Sequence, residues 1–234
     1  MRKIMAVLVI IILGALVFSV GASAVNEEKS HSLKRVDYVI RKPDLRPESA
    51  VESAKRDRTQ CYLLSGQKWS LPVNYTINPA NAQGIPESQF VSAVSSAANA
   101  WDNATPRSLF SGYSVDYSAQ FAQLDGKNFV GFYSMPGSGI IGGTTAWYDT
   151  DLRYFVEFDT FLNTDYFWGD ATQNASVMDI QNVVTHELGH ALGLGDVSDF
   201  RCSAATMFSS TAIGETGKRT LESADITGIR KIYR

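Results

Sequence analysis

Val184-Thr185-His186-Glu187-Leu188-Gly189-His190-Ala191-Leu192-Gly193-Leu194-Gly195-Asp196 is the stretch on which the reading of this chain turns. On a helix, His186 and His190 fall on one face, one turn apart, where two imidazoles can grip a single ion, and Glu187 projects beside them. This pattern points to a zinc hydrolase. The chain holds only three histidines, and the third, His31, sits in a charged segment near the N-terminus. A third protein ligand must come from elsewhere: Asp196 is the first candidate and Asp199 its competitor.

Working outward, the stretch has recognisable boundaries. Ser176, with Asp179 three residues later, resembles a capping box opening a helix that turns Ile180, Val183, Val184, Leu188 and Ala191 inward. Gly193 and Gly195 end that helix, because glycine takes a positive φ without a Cβ clash. Gly193 thereby lets the backbone turn and bring position 196 back toward the ion. Upstream, Leu71, Val73, Tyr75 and Ile77 alternate with polar residues as in a strand. Phe90, Val94, Ala97 and Trp101 recur at helical spacing after Pro86 and Glu87. Further strands are expected around Tyr113–Tyr117, Phe129–Met135, Thr144–Tyr148 and Arg153–Leu162. A last helix is expected over Thr220–Tyr233, with Leu221, Ile226, Ile229 and Ile232 on one face.

The 234 residues suit one domain with a sizeable core behind a removable N-terminal part. Met1–Ala24 has a basic start, an apolar run from Ile4 to Val20 and small residues before Val25, the pattern of a secretory signal peptide. An uncleaved membrane anchor is the alternative. Residues 25–58 are densely charged and short of apolar residues, and read as a prosegment, linker or tail, with Lys55, Arg56 and Arg58 as an accessible place for trimming. The catalytic domain is then 59–234. A net charge of -3 without a basic cluster in the main body excludes nucleic acid as a partner. The expected partners are protein or peptide substrates, the membrane enters only through an uncleaved N-terminal segment, and the chain is read as a monomer, secreted or anchored at the cell surface. Two cysteines, Cys61 and Cys202, in an exported chain suggest one disulfide, with two separate buried thiols as the alternative.

Zinc prefers four ligands in a tetrahedron, and a catalytic site supplies three from the protein and leaves the fourth for water. His186, His190 and Asp196 would be the three, and Glu187 is placed to take a proton from that water, whose pKa the metal lowers to about 7. The carboxylate can later return the proton to a leaving amine. Peptide-bond hydrolysis is the reaction this arrangement serves best.

The extended pattern H-E-x-x-H-x-x-G-x-x-D, followed by Thr206-Met207-Phe208, resembles a metzincin and, more narrowly, a matrixin-type catalytic domain. The resemblance runs from about Cys61 to Arg234 and takes in Trp69–Asn78, the helix ending at Trp101, Phe158–Asn163 and Asp225–Tyr233. It implies an α+β, zincin-like fold: a twisted, mostly parallel five-stranded sheet with about three helices, the active-site helix being followed by a Met-turn. It also implies one catalytic zinc ion, Met207 as the Met-turn residue beneath it, and substrate bound as an extended strand against Thr144, Thr145, Ala146, Trp147 and Tyr148, with a pocket wall around Ser209–Gly214. Such strand addition draws affinity from main-chain hydrogen bonds.

The departures from the pattern are specific. Asp196 stands where the family has histidine, Ser209 stands two residues after Met207 where proline is usual, and no histidine between His31 and His186 is present to hold a second, structural zinc. The prosegment thiol that caps zinc in matrixins has no counterpart, since Lys42-Pro43-Asp44 carries no cysteine. Calcium near Asp149, Asp151 and Asp165 competes with the reading of these as solvated loop carboxylates. Two rival readings stand beside the endopeptidase: a metallopeptidase whose third ligand is Glu215 or Glu222, and a cell-surface binding module that keeps the fold without catalysis. Gly193, Asp196 and Met207 speak against the first, and Glu187 against the second.

Overall fold

The computed structural model describes residues 32–43 and 60–234. The segment Met1–Ala24 and the cluster Lys55, Arg56 and Arg58 lie outside the described residues. In chain order the strands are β1 (Leu33–Arg41), β2 (Leu63–Leu64), β3 (Val73–Ile77), β4 (Phe110–Val115), β5 (Phe129–Tyr133), β6 (Ile140–Asp149), β7 (Phe155–Asn163), β8 (Trp168–Gly169), β9 (Met178–Asp179) and β10 (Leu194–Gly195). The helices are α1 (Glu87–Asp102), α2 (Ile180–Ala191) and α3 (Ser223–Ile232).

The sheet has the order β1-β6-β7-β5-β3-β4. Strand β3 runs parallel to β4 and β5, β5 runs parallel to β7, and β6 is antiparallel to β7. These five strands and three helices make the expected α+β metzincin architecture. The strand β1 adds a sixth, antiparallel to β6 along its whole length. It falls inside the charged 25–58 segment, where high charge density masks a short alternation: Val36, Tyr38 and Ile40 share one face and Arg35, Asp37 and Arg41 the other. No helix among the described residues is long and apolar enough to cross a membrane.

Two tryptophans fix the helix that carries the histidines. Trp101 closes α1 fully buried, and its indole N–H donates to the Thr185 carbonyl at 2.8 Å. The Trp69 indole N–H donates to the Ala191 carbonyl at 2.7 Å. The C-terminus joins in, as the Tyr233 hydroxyl donates to the Leu192 carbonyl and accepts from the Trp69 amide. Buried indole N–H groups need such partners, and here they take one backbone carbonyl in the middle of α2 and one at its end.

The start of α2 differs from the expected capping box. Asp179, not Ser176, is the N-cap: its carboxylate accepts from the Asn182 amide at 2.8 Å and from the Ala171 amide, and pairs with Arg219. The reason is that Met178–Asp179 is extended and pairs with Trp168–Gly169, so the helix cannot begin earlier. Asp179 is fully buried, and its pairing with the Arg219 guanidinium satisfies a charge that would otherwise be costly there.

A disulfide joins Cys61 to Cys202, with Cα atoms 5.2 Å apart and a sequence separation of 141. Cys202, Val197, Ala205 and Phe208 form a small apolar cluster of their own next to the histidine helix's exit segment.

Candidate metal centre

The two histidines and Glu187 lie fully buried on α2. Gly189, between them, is enforced by packing: a Cβ there would come within 2.3 Å of Met207 Sδ and 2.8 Å of Trp101. The helix ends at Gly193, which has φ of 98° and no room for a Cβ because the Gln67 carbonyl oxygen is 2.6 Å from where it would sit. The chain then returns through β10 and brings Asp196 over the imidazoles.

Each imidazole is oriented by a carbonyl behind it. His186 Nδ1 is 2.8 Å from the Thr206 oxygen and His190 Nδ1 is 2.9 Å from the Leu194 oxygen. A carbonyl can only accept, so both Nδ1 atoms carry the proton and both Nε2 lone pairs point into the site. The two Nε2 atoms are 3.1 Å apart, and Asp196 Oδ1 is 3.4 Å from each. Ligands at about 2.0–2.1 Å from a tetrahedral zinc are separated from one another by about 3.3–3.4 Å. The triangle drawn by these three atoms therefore has the size of one face of a zinc tetrahedron. Asp196 Oδ1 and Glu187 Oε1 are buried without a hydrogen-bond partner, as a cation site and its neighbouring base require.

The charges follow the same geometry. Burial opposes ionisation of Asp196, yet imidazoles that also carry a proton on Nε2 outweigh it and hold the carboxyl well below the usual range. Burial pulls His186 down, whereas at His190 the Asp196 contact overcomes burial and raises it. Burial pushes Glu187 up to about 8, against the opposing pull of His190 and of a hydrogen bond from Thr144. That bond is 2.9 Å from Thr144 Oγ1 to Glu187 Oε2, and Thr160 in turn lies 2.8 Å from the Thr144 hydroxyl.

Met207 is fully buried beneath the site. Its turn is held by Asp225 of α3, which accepts from the Thr206 amide at 2.9 Å and the Met207 amide at 3.2 Å. Thr206 then presents its carbonyl to His186, and the Met207 carbonyl accepts from the Val197 amide, next to Asp196. A single buried carboxylate thus braces two of the three candidate ligands. Sequence reasoning passed over Asp225 and the Thr144 hydroxyl. The only signal for Asp225 was its place three residues after Glu222, where the two form a capping box.

The remaining candidates are separated from this centre. Asp199 caps a short 3-10 turn and pairs with Arg201. Glu215 accepts from Thr211 and Ala212, and Glu222 caps α3. Asp149 accepts from the Asp151 and Leu152 amides within a turn, and Asp165 from the Gly137 amide. Among the described residues, His186, His190 and Asp196 form the one group of three or more such side chains whose ligand atoms lie close enough for an ion, within 4.8 Å of one another. Thr144–Tyr148 lie in β6, whose outer edge is paired with β1.

A helix carrying two histidines and a glutamate, braced by a turn with a buried methionine and packed under a mostly parallel sheet, is the architecture of the metzincin class. The chain belongs to the matrixin family, whose pattern it matches over residues 68–234. It is similar to matrix metalloproteinase-16 of Homo sapiens, with 31% identity over 188 residues, covering 75% of this chain and 29% of that protein. It is also similar to metalloendoproteinase 1 of Glycine max, with 38% identity over 109 residues, 46% of this chain and 33% of the plant protein. The chain thus spans about a third or less of the length of these relatives.

Proposed function

We propose that this chain is an exported zinc-dependent endopeptidase that hydrolyses peptide bonds in protein substrates. The observation that carries the reading is the 3.1, 3.4 and 3.4 Å triangle of His186, His190 and Asp196 with the unpartnered Glu187 Oε1 beside it. His186, His190 and Asp196 would hold the ion, and Glu187 is the general base. Bound zinc supplies Lewis acidity and lowers the pKa of a water in its open position to about 7. Glu187 Oε2 is held by Thr144, which leaves Oε1 to accept a proton and, on the reverse stroke, to deliver it to the departing amine nitrogen. The buried floor of Met207, Trp101 and Leu188 keeps solvent from the inner side of the helix, while the Thr206 and Leu194 carbonyls orient the two imidazoles. Substrate would lie extended along the outer edge of β6, in place of β1, with side chains entering the space walled by Ser209–Gly214.

The reading is tested by metal removal. A denatured protein should be cleaved by the zinc-loaded chain, lose cleavage in excess chelator, and regain it when zinc is restored. Cleavage that persists in the chelated, zinc-free protein would contradict it.

A further inference from the structure

Glu187 does not present its two carboxylate oxygens alike, and the difference is set by the strand that faces it. Oε2 is 2.9 Å from the Thr144 hydroxyl, whereas Oε1 is buried without a hydrogen-bond partner. Residues two apart in a strand share a face, so Gly142 stands beside Thr144 on the side of β6 that meets α2. A Cβ on Gly142 would lie 3.7 Å from Glu187 Oε1 and 3.1 Å from Val183. The strand therefore holds one oxygen with a hydroxyl and keeps the space over the other clear with a glycine.

Thr144 is itself held from behind. Its partner across the antiparallel ladder is Thr160 of β7, so the two side chains share a face, and their hydroxyl oxygens are 2.8 Å apart. Both residues are buried. The direction of the hydrogen bonds follows from counting protons. Around Thr144 Oγ1 lie Thr160 Oγ1 at 2.8 Å, Glu187 Oε2 at 2.9 Å and the Glu187 carbonyl oxygen at 3.1 Å. An ionised carboxylate and a carbonyl only accept, so the single Thr144 proton is committed to Glu187. The Thr160 hydroxyl then donates to Thr144. The reverse direction would set a lone pair against a buried carboxylate oxygen and leave that acceptor unmet, at a desolvation cost.

We propose that Thr144 and Thr160 are positioning residues for Glu187, a two-hydroxyl brace running from Thr160 through Thr144 to Oε2 that fixes the plane of the carboxylate and keeps Oε1 as its free oxygen. The imidazoles take their support elsewhere, His186 from the Thr206 carbonyl and His190 from the Leu194 carbonyl, so the brace acts on the base and not on the metal. Thr144 also belongs to the strand along which the proposed function lays substrate, and so ties that strand to the base. The consequence for turnover rests on the endopeptidase reading. The orientation of the carboxylate is a separate claim with its own readout.

The test uses the full chain with three variants. Thr144→Val keeps the shape and removes the hydroxyl, Thr144→Ser restores it, and Thr160→Val removes only the rear donor and serves if Thr144→Val does not fold. Crystal structures should show the Glu187 carboxylate rotated in Thr144→Val and in the parental orientation in Thr144→Ser, with α2 and both imidazoles unmoved. All three should bind one zinc ion with the parent's affinity. Zinc-loaded Thr144→Val should lose at least about 10-fold in kcat on a fluorogenic peptide with KM little changed, as expected for a misplaced reacting group. Thr144→Ser should recover most of that loss. Thr160→Val should lose less, and should add nothing further in the Thr144→Val background, because the two act in series. An unmoved carboxylate in folded Thr144→Val, kcat at the parent's level in that variant, or a loss of zinc affinity matching the loss in kcat would overturn the proposal. If the zinc-loaded parent cleaves nothing and the carboxylate still rotates in Thr144→Val, the endopeptidase reading fails while the brace stands.

Discussion

Asp196 is the residue on which this chain departs most consequentially from the histidine of its family. An aspartate offers a compact anionic oxygen in place of a neutral imidazole, and here that oxygen completes a triangle with the Nε2 atoms of two imidazoles whose Nδ1 protons are committed to carbonyls on their far sides. We expect Asp196→Ala to weaken zinc binding by at least about 10-fold in a competition titration against a chromophoric chelator, since losing even a group that only hydrogen-bonds to a ligand costs about that much. Asp199→Ala should leave it unchanged, because Asp199 is paired with Arg201. Equal affinities for the two variants would remove Asp196 from the ligand set. The residue-scale reading of the sequence was good where chemistry is local: two histidines one helical turn apart and a glycine that ends the helix announce themselves by spacing. It could not see Asp225, whose carboxylate works 18 or 19 residues downstream of the backbone amides it holds, on a contact that only the tertiary fold creates.

At the scale of elements, β7 carries a feature of different kind. Asp159 is fully buried with Oδ1 unpartnered, and burial together with neighbouring Glu157 raises its carboxyl to about 7. The folded chain therefore binds this proton more tightly than the unfolded chain, whose carboxyl titrates near 4. Stability from this group is fully present below about pH 4 and is lost as pH rises through about 7, by up to about 4 kcal/mol at 1.36 kcal/mol per pH unit. Thermal melts of the zinc-free protein should accordingly show the parent losing more stability between pH 5 and pH 8 than Asp159→Asn; parallel pH profiles would show that the site carries no such cost. The elements themselves were legible where periodicity is clean, as in β3, α1 and α3. The helix start was misplaced because Ser176 and Asp179 both look like caps in sequence, and pairing of Met178–Asp179 with Trp168–Gly169 decides between them. The strand β1 was masked by its charges: Arg35, Asp37 and Arg41 face away from the core, and only Val36, Tyr38 and Ile40 betray the alternation.

Across the whole molecule, the site is assembled from distant parts of the chain: two tryptophans grip the histidine helix, the last helix braces the Met-turn, and the Cys61–Cys202 bridge ties the start of the domain to the segment after Asp196. Closing a loop between cysteines 141 positions apart restricts the unfolded chain by about 5 kcal/mol on the chain-entropy account. Cys61→Ser/Cys202→Ser should therefore lower Tm by on the order of 10 °C, and an unchanged Tm would mean that the bridge adds no stability. Fold class and the candidate metal-site residues could be read from sequence because both are written in short-range spacing. The self-pairing of β1 with β6 could not, since it joins residues about 100 positions apart through main-chain hydrogen bonds that are blind to side-chain identity. The central claim is that Glu187 moves the proton at a zinc centre held by its neighbours, and it is tested most directly by comparing parent and Glu187→Ala after both are shown to bind one zinc ion. The account predicts that the variant keeps its metal and its Tm but loses at least about 100-fold in cleavage of a denatured protein; cleavage by the zinc-loaded variant at the parent's rate would contradict it.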